Sequence, residues 1–230
     1  MIYILKSSDS REVKHLPILG HGHQGTVFKN GNHATKVFNL HNIRPTDSDG
    51  KVTIRISSLN LDAFVRPYNL NFKDGKLISF DMDLLHLEKD KKIVDMDIED
   101  VIESLSIIRK DTDTLSENGI LIKDLQRHNI GVSKNKIKVY DFSDYEITDI
   151  ENLKKINYGE IDALFGSMCV MLEMPEVDPI AVYDHIYSDY LRSGYSTIEE
   201  YFKENILGKF NNIRDYVNYK CGVNCKRKSR

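Results

Sequence analysis

The sequence predicts an α+β chain, with a small antiparallel sheet first and a mainly helical part second. Three observations carry this. Before about residue 85, short β-branched and aromatic runs alternate with turn signals at 20–25, 30–32 and 74–75. After residue 95, apolar residues recur at spacings of three and four, the period of helices with one buried face. Between those helical patterns lies one polar-turned hairpin, residues 130–140, with acids and amides at its open end.

The elements follow in order. Residues 2–5 and 16–19 read as short strands. The run Gly20-His21-Gly22-His23-Gln24-Gly25 is a glycine-rich turn, and Thr26, Val27 and Phe28 continue as a strand. A dinucleotide-binding glycine motif would be followed by a helix, so the strand points away from that reading. Glycine here allows positive φ and close approach of backbone N–H groups to phosphate. Asn30-Gly31-Asn32 is a turn and 33–38 a third strand, on which alternation puts Ala34, Lys36 and Phe38 on one face. Residues 51–61 form a weak helix, rich in Ser and β-branched residues. Residues 64–67 with 69–72 read as a fourth strand, Asp74-Gly75 as a turn, 76–82 as a fifth strand, and Asp83 to Leu85 as the connection onward.

In the second part, Ile98, Val101, Ile102, Leu105 and Ile108 mark a helix over 95–115, closed by Asn118-Gly119. The hairpin comes next, 130–132 against 137–140 around Ser133-Lys134-Asn135-Lys136. Its open end brings together Asp124, Asn129 and Asp141, a hard oxygen-rich set suited to Mg²⁺ held by few protein ligands plus phosphates. A helix over 160–174 is broken by Pro175 and Pro179. Another covers 180–191, and Ser196-Thr197-Ile198-Glu199 reads as a capping box for a helix ending near 207. Tyr183, Tyr187, Tyr190, Tyr195 and Tyr201 crowd this end; they read as packing, with a partner surface as the alternative.

Composition bounds the function. Hydrophobic content is 40%, charged content 29% and the formal net charge −3, with Lys226, Arg227, Lys228 and Arg230 concentrated at the end. The body is therefore acidic, which argues against nucleic acid as a partner. No apolar run approaches a membrane span, and the five-residue apolar start is too short for a signal peptide. Three Cys without an even framework suggest a reducing compartment: cytoplasm, or the cytosol of a host that receives the protein. His21 and His23 have no Cys or acid at zinc-ligand spacing and read as solvated loop imidazoles.

Glycine turn, lysine strand, Asp124-x-x-x-x-Asn129 and Asp141-Phe142-Ser143 occur in one order. Together they resemble the protein kinase superfamily over roughly residues 16–175. The Lys-, Asn- and Ile-rich usage suits a small, divergent member of bacterial or viral type. The resemblance implies a bilobal protein-kinase-like fold, with an N-lobe at 1–85 and a trimmed, mainly helical C-lobe at 86–230. It implies ATP held by Gly20, Gly22, Gly25, Val27, Ala34 and Lys36, with Met82 as gatekeeper and Asp83 and Leu85 pairing with adenine. Asp124 would be the catalytic base, Lys36 the phosphate clamp, Asn129 and Asp141 the Mg²⁺ ligands, and Asp162 the acid bracing the catalytic loop.

The chain departs from the family pattern at several places. Residues 42–62 contain no Glu to pair with Lys36; Val52 stands about where it belongs, leaving Asp47, Asp49 or Asp62 as substitutes. Ile122-Lys123 replaces His-Arg, Gln126 replaces a Lys, Ser143 replaces Gly, and 144–158 has no Ala-Pro-Glu. The expected function is an ATP- and Mg²⁺-dependent kinase acting on Ser, Thr or Tyr hydroxyls of a protein substrate. The alternatives are a small-molecule kinase of the antibiotic or sugar type, a pseudokinase that only binds, and an AMP transferase.

Overall fold

The computed structural model describes residues 16–22, 24–38, 50–142 and 144–222. The strand expected at 2–5, His15, His23, His41, Asp47, Asp49, Ser143 and the basic tail lie outside the described residues.

The fold is mixed α+β, built on a five-stranded antiparallel sheet and a set of helices. The strands are β1 (Ile18–His21), β2 (Gly25–Asn30), β3 (His33–Phe38), β4 (Pro67–Lys73) and β5 (Lys76–Asp83), in the order β1-β2-β3-β5-β4. Asp74 (φ 51°) and Gly75 (φ 74°) close the β4–β5 hairpin, as an Asp-Gly pair does when both turn residues need positive φ. β1 runs two residues later than expected and takes Gly20 and His21 into the sheet. β4 also differs from the sequence reading. Pro67, with no N–H to give, opens the strand. Residues 63–65 leave the sheet and bond to the later hairpin: Val65 N donates to Val139 O (2.7 Å) and Val139 N to Ala63 O (3.0 Å).

Helix α1 (Lys51–Ser57) is two turns long rather than three, with Val52, Thr53 and Ile56 buried. It stops where Ser57 Oγ and Ser58 Oγ bond back to the carbonyls of Ile54 and Arg55, each at 2.7 Å. Helix α2 (Ile98–Glu117) buries the stripe that its spacing announced, and Gly119 (φ 65°) turns the chain out of it. On its inner face Asp111, 1% exposed, accepts N–H groups of Asp62, Ala63 and Phe64 at 2.8, 2.6 and 3.1 Å. This one carboxylate fastens the segment leaving the sheet part to the helical part.

After the short strand β6 (Ile120–Leu121) comes the hairpin β7 (Ile130–Ser133) and β8 (Lys136–Val139). Lys134 (φ 51°) and Asn135 (φ 58°) form its two-residue turn where the sequence put it. Strand β9 (Glu146–Ile147) pairs with β6. Helix α3 (Leu153–Ala163) then starts seven residues before the expected helix and runs through a wider turn at 164–168 into α4 (Cys169–Glu173).

Helices α5 (Pro179–Val182) and α6 (Ser188–Ser193) are joined in the same way through 183–187. They are followed by α7 (Ile198–Asn205) and α8 (Ile213–Lys220), the last not foreseen from the sequence. The cap of α7 is Thr197, whose Oγ1 accepts from Glu200 N (3.2 Å) while Glu200 accepts from Ser196 N (2.9 Å); the box lies one residue later than expected. Tyr190, Tyr201 and Tyr216 are buried and Tyr201 and Tyr216 share a 2.6 Å hydroxyl bond, whereas Tyr183 is 47% exposed. Of the five clustered tyrosines, Tyr190 and Tyr201 are therefore core, Tyr187 is half-buried, and Tyr183 and Tyr195 are exposed. Among the described residues no helix is long and apolar enough to cross a membrane.

Candidate active site

The sheet assembles one wall of the site by register. Val27 stands opposite Lys36, Ala34 opposite Met82, and Lys36 opposite Phe80. Directly paired residues share a face, so Val27, Ala34, Lys36, Phe80 and Met82 form a single surface. Ala34, Lys36, Phe80 and Met82 are buried on it. At the end of β5 Asp83 is exposed and Leu85 half-buried. The chain then crosses the hairpin, where Glu88 N donates to Val132 O (2.8 Å).

The three glycines do not use positive φ. Gly25 is required by packing: a Cβ there would lie 2.3 Å from the Val37 carbonyl oxygen. At Gly20 a Cβ would meet nothing within 4 Å. The turn is closed by Gly22 N donating to Gly25 O (2.9 Å), and His21 Nδ1 lies 2.8 Å from Thr26 Oγ1. From its tip, Gln24 Nε2 reaches both carboxylate oxygens of Asp144, at 3.3 and 3.4 Å.

The hairpin supplies the facing wall. The β7–β8 ladder continues one step past Ile130 and Val139, with Tyr140 N donating to Asn129 O (3.0 Å). Asn129 therefore sits across from Tyr140, and Asp141 is the next residue out. Asn129 Nδ2 donates to the carbonyl of Asp124 (3.0 Å), which leaves its Oδ1 as the oxygen donor on that side chain. Asp124 holds φ 52°, an uncommon conformation for a residue with a Cβ, and Gln126 Nε2 donates to its Oδ1.

The two walls meet at one ion pair. Lys36 Nζ lies 3.0 Å from Asp141 Oδ1, with the lysine side chain 9% and the aspartate 38% exposed. Phe142 fixes this contact from below by stacking on Phe80 with centroids 5.6 Å apart, and Phe80 meets Phe38 edge-on. Asp62 is no partner of Lys36; it pairs with Lys110 at 3.3 Å. Among the described residues no group of three or more His, Cys, Asp or Glu is placed to hold a metal ion. A cation at Asn129 and Asp141 would thus complete its shell with phosphate and water oxygens, the manner in which Mg²⁺ is commonly bound.

Asp162 does not brace the loop. It is buried with Arg109, accepts from Tyr190 OH (2.8 Å) and Ile198 N (3.0 Å), and ties α2, α3, α6 and α7 together. The brace is Asn157. Its Oδ1 accepts from Ile122 N (2.8 Å), and its Nδ2 donates to Ile120 O (2.9 Å) and Ser116 Oγ (2.9 Å). A signal for this residue was present: Leu153, Asn157 and Ile161 are spaced by four, so Asn157 is a polar residue on an apolar stripe. Lys123 reaches Glu146 at 2.7 Å on β9, and Arg127 pairs with buried Glu173 of α4.

Tyr145, 1% exposed, packs edge-on against Phe64 and Phe142, and its hydroxyl has no hydrogen-bond partner. Burial first, and then the Asp141 charge, push this phenol far above its usual range. A buried hydroxyl without a partner costs about 1–3 kcal/mol. Tyr145→Phe is therefore expected to leave the melting temperature unchanged or raise it; a fall of several degrees in a thermal melt would show that the hydroxyl is bonded in solution.

No family model matches the chain, and no curated protein matches it either.

Proposed function

We propose that the chain is a two-lobed, protein-kinase-like phosphotransferase, with lobes at 1–85 and 86–230, that moves the γ-phosphoryl group of ATP to a protein hydroxyl. One observation carries this. Lys36, from a strand beside a glycine turn, and Asp141, from the mouth of a distant hairpin, meet at 3.0 Å next to Asn129 and Asp124. Four polar residues from three separated stretches come together at that mouth, the arrangement phosphoryl transfer demands.

Each residue then has a task. Val27, Ala34 and Met82 provide an apolar wall for the adenine ring, and the backbone of Asp83 and Leu85 offers its edge a carbonyl and an N–H. The backbone around Gly20, Gly22 and Gly25 covers the phosphates, and Lys36 places its ammonium against them. Asn129 Oδ1 and the Asp141 carboxylate would hold Mg²⁺, which when bound neutralises charge on the phosphate oxygens. Asp124 accepts the acceptor's hydroxyl proton as the oxygen bonds to the γ-phosphorus. The bond from that phosphorus to the bridging oxygen breaks and ADP leaves. Gln126 holds the Asp124 carboxylate in place through its Oδ1.

A binding-only reading draws on Val52, buried at 2% exposure where the family's pairing Glu would stand. Thermal melts test the nucleotide site by itself. Mg-ATP at a hundredfold excess over its Kd is expected to stabilise the protein by about 2.7 kcal/mol. Asp141→Asn is expected to lose the part of the shift that depends on Mg²⁺. A melting temperature indifferent to Mg-ATP would overturn the nucleotide site altogether.

A further inference from the structure

The loop from Asp124 to Asn129 carries two of the proposed working side chains, and a third residue within it reaches far outside it. Arg127–Asn129 is a single tight turn, closed by Asn129 N donating to Gln126 O (2.9 Å). Asn129 Nδ2 draws the ends together through Asp124 O (3.0 Å). These bonds are internal to the loop, so they fix its shape and not its place. Asn157 holds the chain just before Asp124, and the Tyr140 hydroxyl, bonded to His128 O (2.8 Å), holds the loop to the hairpin. Arg127 ties it to the helical part. Its Nε pairs with Glu173 Oε1 of α4, and its Nη1 donates to Ile130 O (2.9 Å), at the residue next to Asn129.

The anchor on the other side is itself held. The Glu173 side chain is 5% exposed, its Oε2 accepts from Val94 N (2.9 Å), and its backbone carbonyl accepts from Lys92 Nζ (2.8 Å). One buried carboxylate therefore grips both the loop and the segment that runs on from Asp83 and Leu85 towards α2. Stability alone is a weak account of such a pair. Well-packed apolar residues of similar volume often stabilise a buried place as well as an ion pair does, or better. What a guanidinium adds is direction, because its donors form a rigid planar fork. Here the fork spans Glu173 and Ile130, with Asn129 between Arg127 and the second of these contacts.

Resting on the phosphotransferase reading, we infer that Arg127, locked by Glu173, is a positioning residue: it sets where Asn129 Oδ1 stands relative to the Asp141 carboxylate, and so how well these two hold Mg²⁺ on the phosphates. Arg127 acts through Asn129 and makes no contact of its own with the reacting atoms. Groups that orient metal ligands in this way commonly change metal affinity or activity by about ten- to a hundredfold when removed.

The test separates position from charge and from stability. Replacing Arg127→Met together with Glu173→Leu removes both charges at once, so the net charge beside Asn129 is unchanged and no buried ion is left unpaired. A fluorescent ADP analogue is titrated against the full chain at a series of Mg²⁺ concentrations. The double variant is expected to melt close to the wild type and to bind the analogue equally without Mg²⁺. It should need at least about tenfold more Mg²⁺ for half of the Mg²⁺-dependent tightening. In transfer assays kcat should fall by about a hundredfold while KM for ATP at saturating Mg²⁺ stays within about twofold. Arg127→Lys keeps the charge without the fork and should fall between the two.

A double variant with the wild-type Mg²⁺ requirement and kcat overturns the inference and leaves the phosphotransferase reading standing. If the double variant melts far below the wild type, Arg127→Lys decides alone, and a wild-type Mg²⁺ requirement in it overturns the inference. A raised Mg²⁺ requirement in the variants, with no transfer by the wild type to any acceptor, supports the positioning role and counts against the phosphotransferase reading. A wild type that does not bind the analogue with Mg²⁺ removes that reading, and the inference with it.

Discussion

Asp141→Ala is expected to lower transfer of labelled γ-phosphate, to the chain itself or to a generic protein substrate, by at least about a thousandfold. That is the order of loss when a charge-stabilising element of phosphoryl transfer is removed. The size follows from the position of this carboxylate. It is the residue beyond Tyr140 on the hairpin ladder, it meets Lys36 at 3.0 Å, and Phe142 anchors it by stacking on Phe80. Removal deletes a proposed metal ligand and also a partner of the buried Lys36 ammonium, so some stability is lost with the activity. Asp141→Asn separates the effects: it keeps the shape and an oxygen donor but not the charge, and should melt closer to wild type while remaining nearly inactive. Labelling unchanged in both variants would remove Asp141 from the chemistry.

Asp162→Ala is expected to be the most damaging single change to stability, costing about 3–5 kcal/mol, because it leaves a buried guanidinium without its counter-ion. Arg109 is 6% exposed, its Nε already lacks a hydrogen-bond partner, and its remaining polar contact of note is Tyr158 O at 3.3 Å. The same substitution orphans Tyr190 OH and Ile198 N. Urea unfolding monitored by circular dichroism measures the loss. The double replacement Asp162→Leu with Arg109→Met should cost less than Asp162→Ala alone, since it removes both charges together. A loss below about 1 kcal/mol for Asp162→Ala would mean that the pair is solvated in solution.

Much of the site was legible because its signals are local. The β7–β8 turn is written in four consecutive residues, and strand alternation alone put Ala34, Lys36 and Phe38 on one face. Given the hairpin, the nearness of Asn129 and Asp141 follows from pairing register. What escaped were side chains whose meaning depends on a distant partner. Asp162 and Asn157 are both polar residues on the buried side of α3, and the sequence offers no way to see that the first faces Arg109 and the second Ile122.

The later start of β4 has a similar origin. Residues 63–65 have strand-like side chains, but Asp111 captures three of the local N–H groups and Val139 takes another. The glycine turn differs in reason from the expectation: Gly25 serves close packing against Val37 rather than a positive φ, and at Gly20 nothing within 4 Å requires a glycine. The antiparallel sheet and the helical part agree with the α+β expectation; Lys36 pairs with Asp141, and of the substitutes expected for the missing Glu only Asp62 lies among the described residues, where it pairs with Lys110.

The central claim is that this mouth transfers the γ-phosphoryl group of ATP. Intact-mass measurement of the wild-type chain after incubation with Mg-ATP and a generic protein substrate tests it most directly. The account predicts whole phosphoryl increments on the chain or the substrate, absent without Mg²⁺ and absent in Asp141→Asn. An increment of AMP, or unchanged masses for both proteins with no ADP formed, would contradict it.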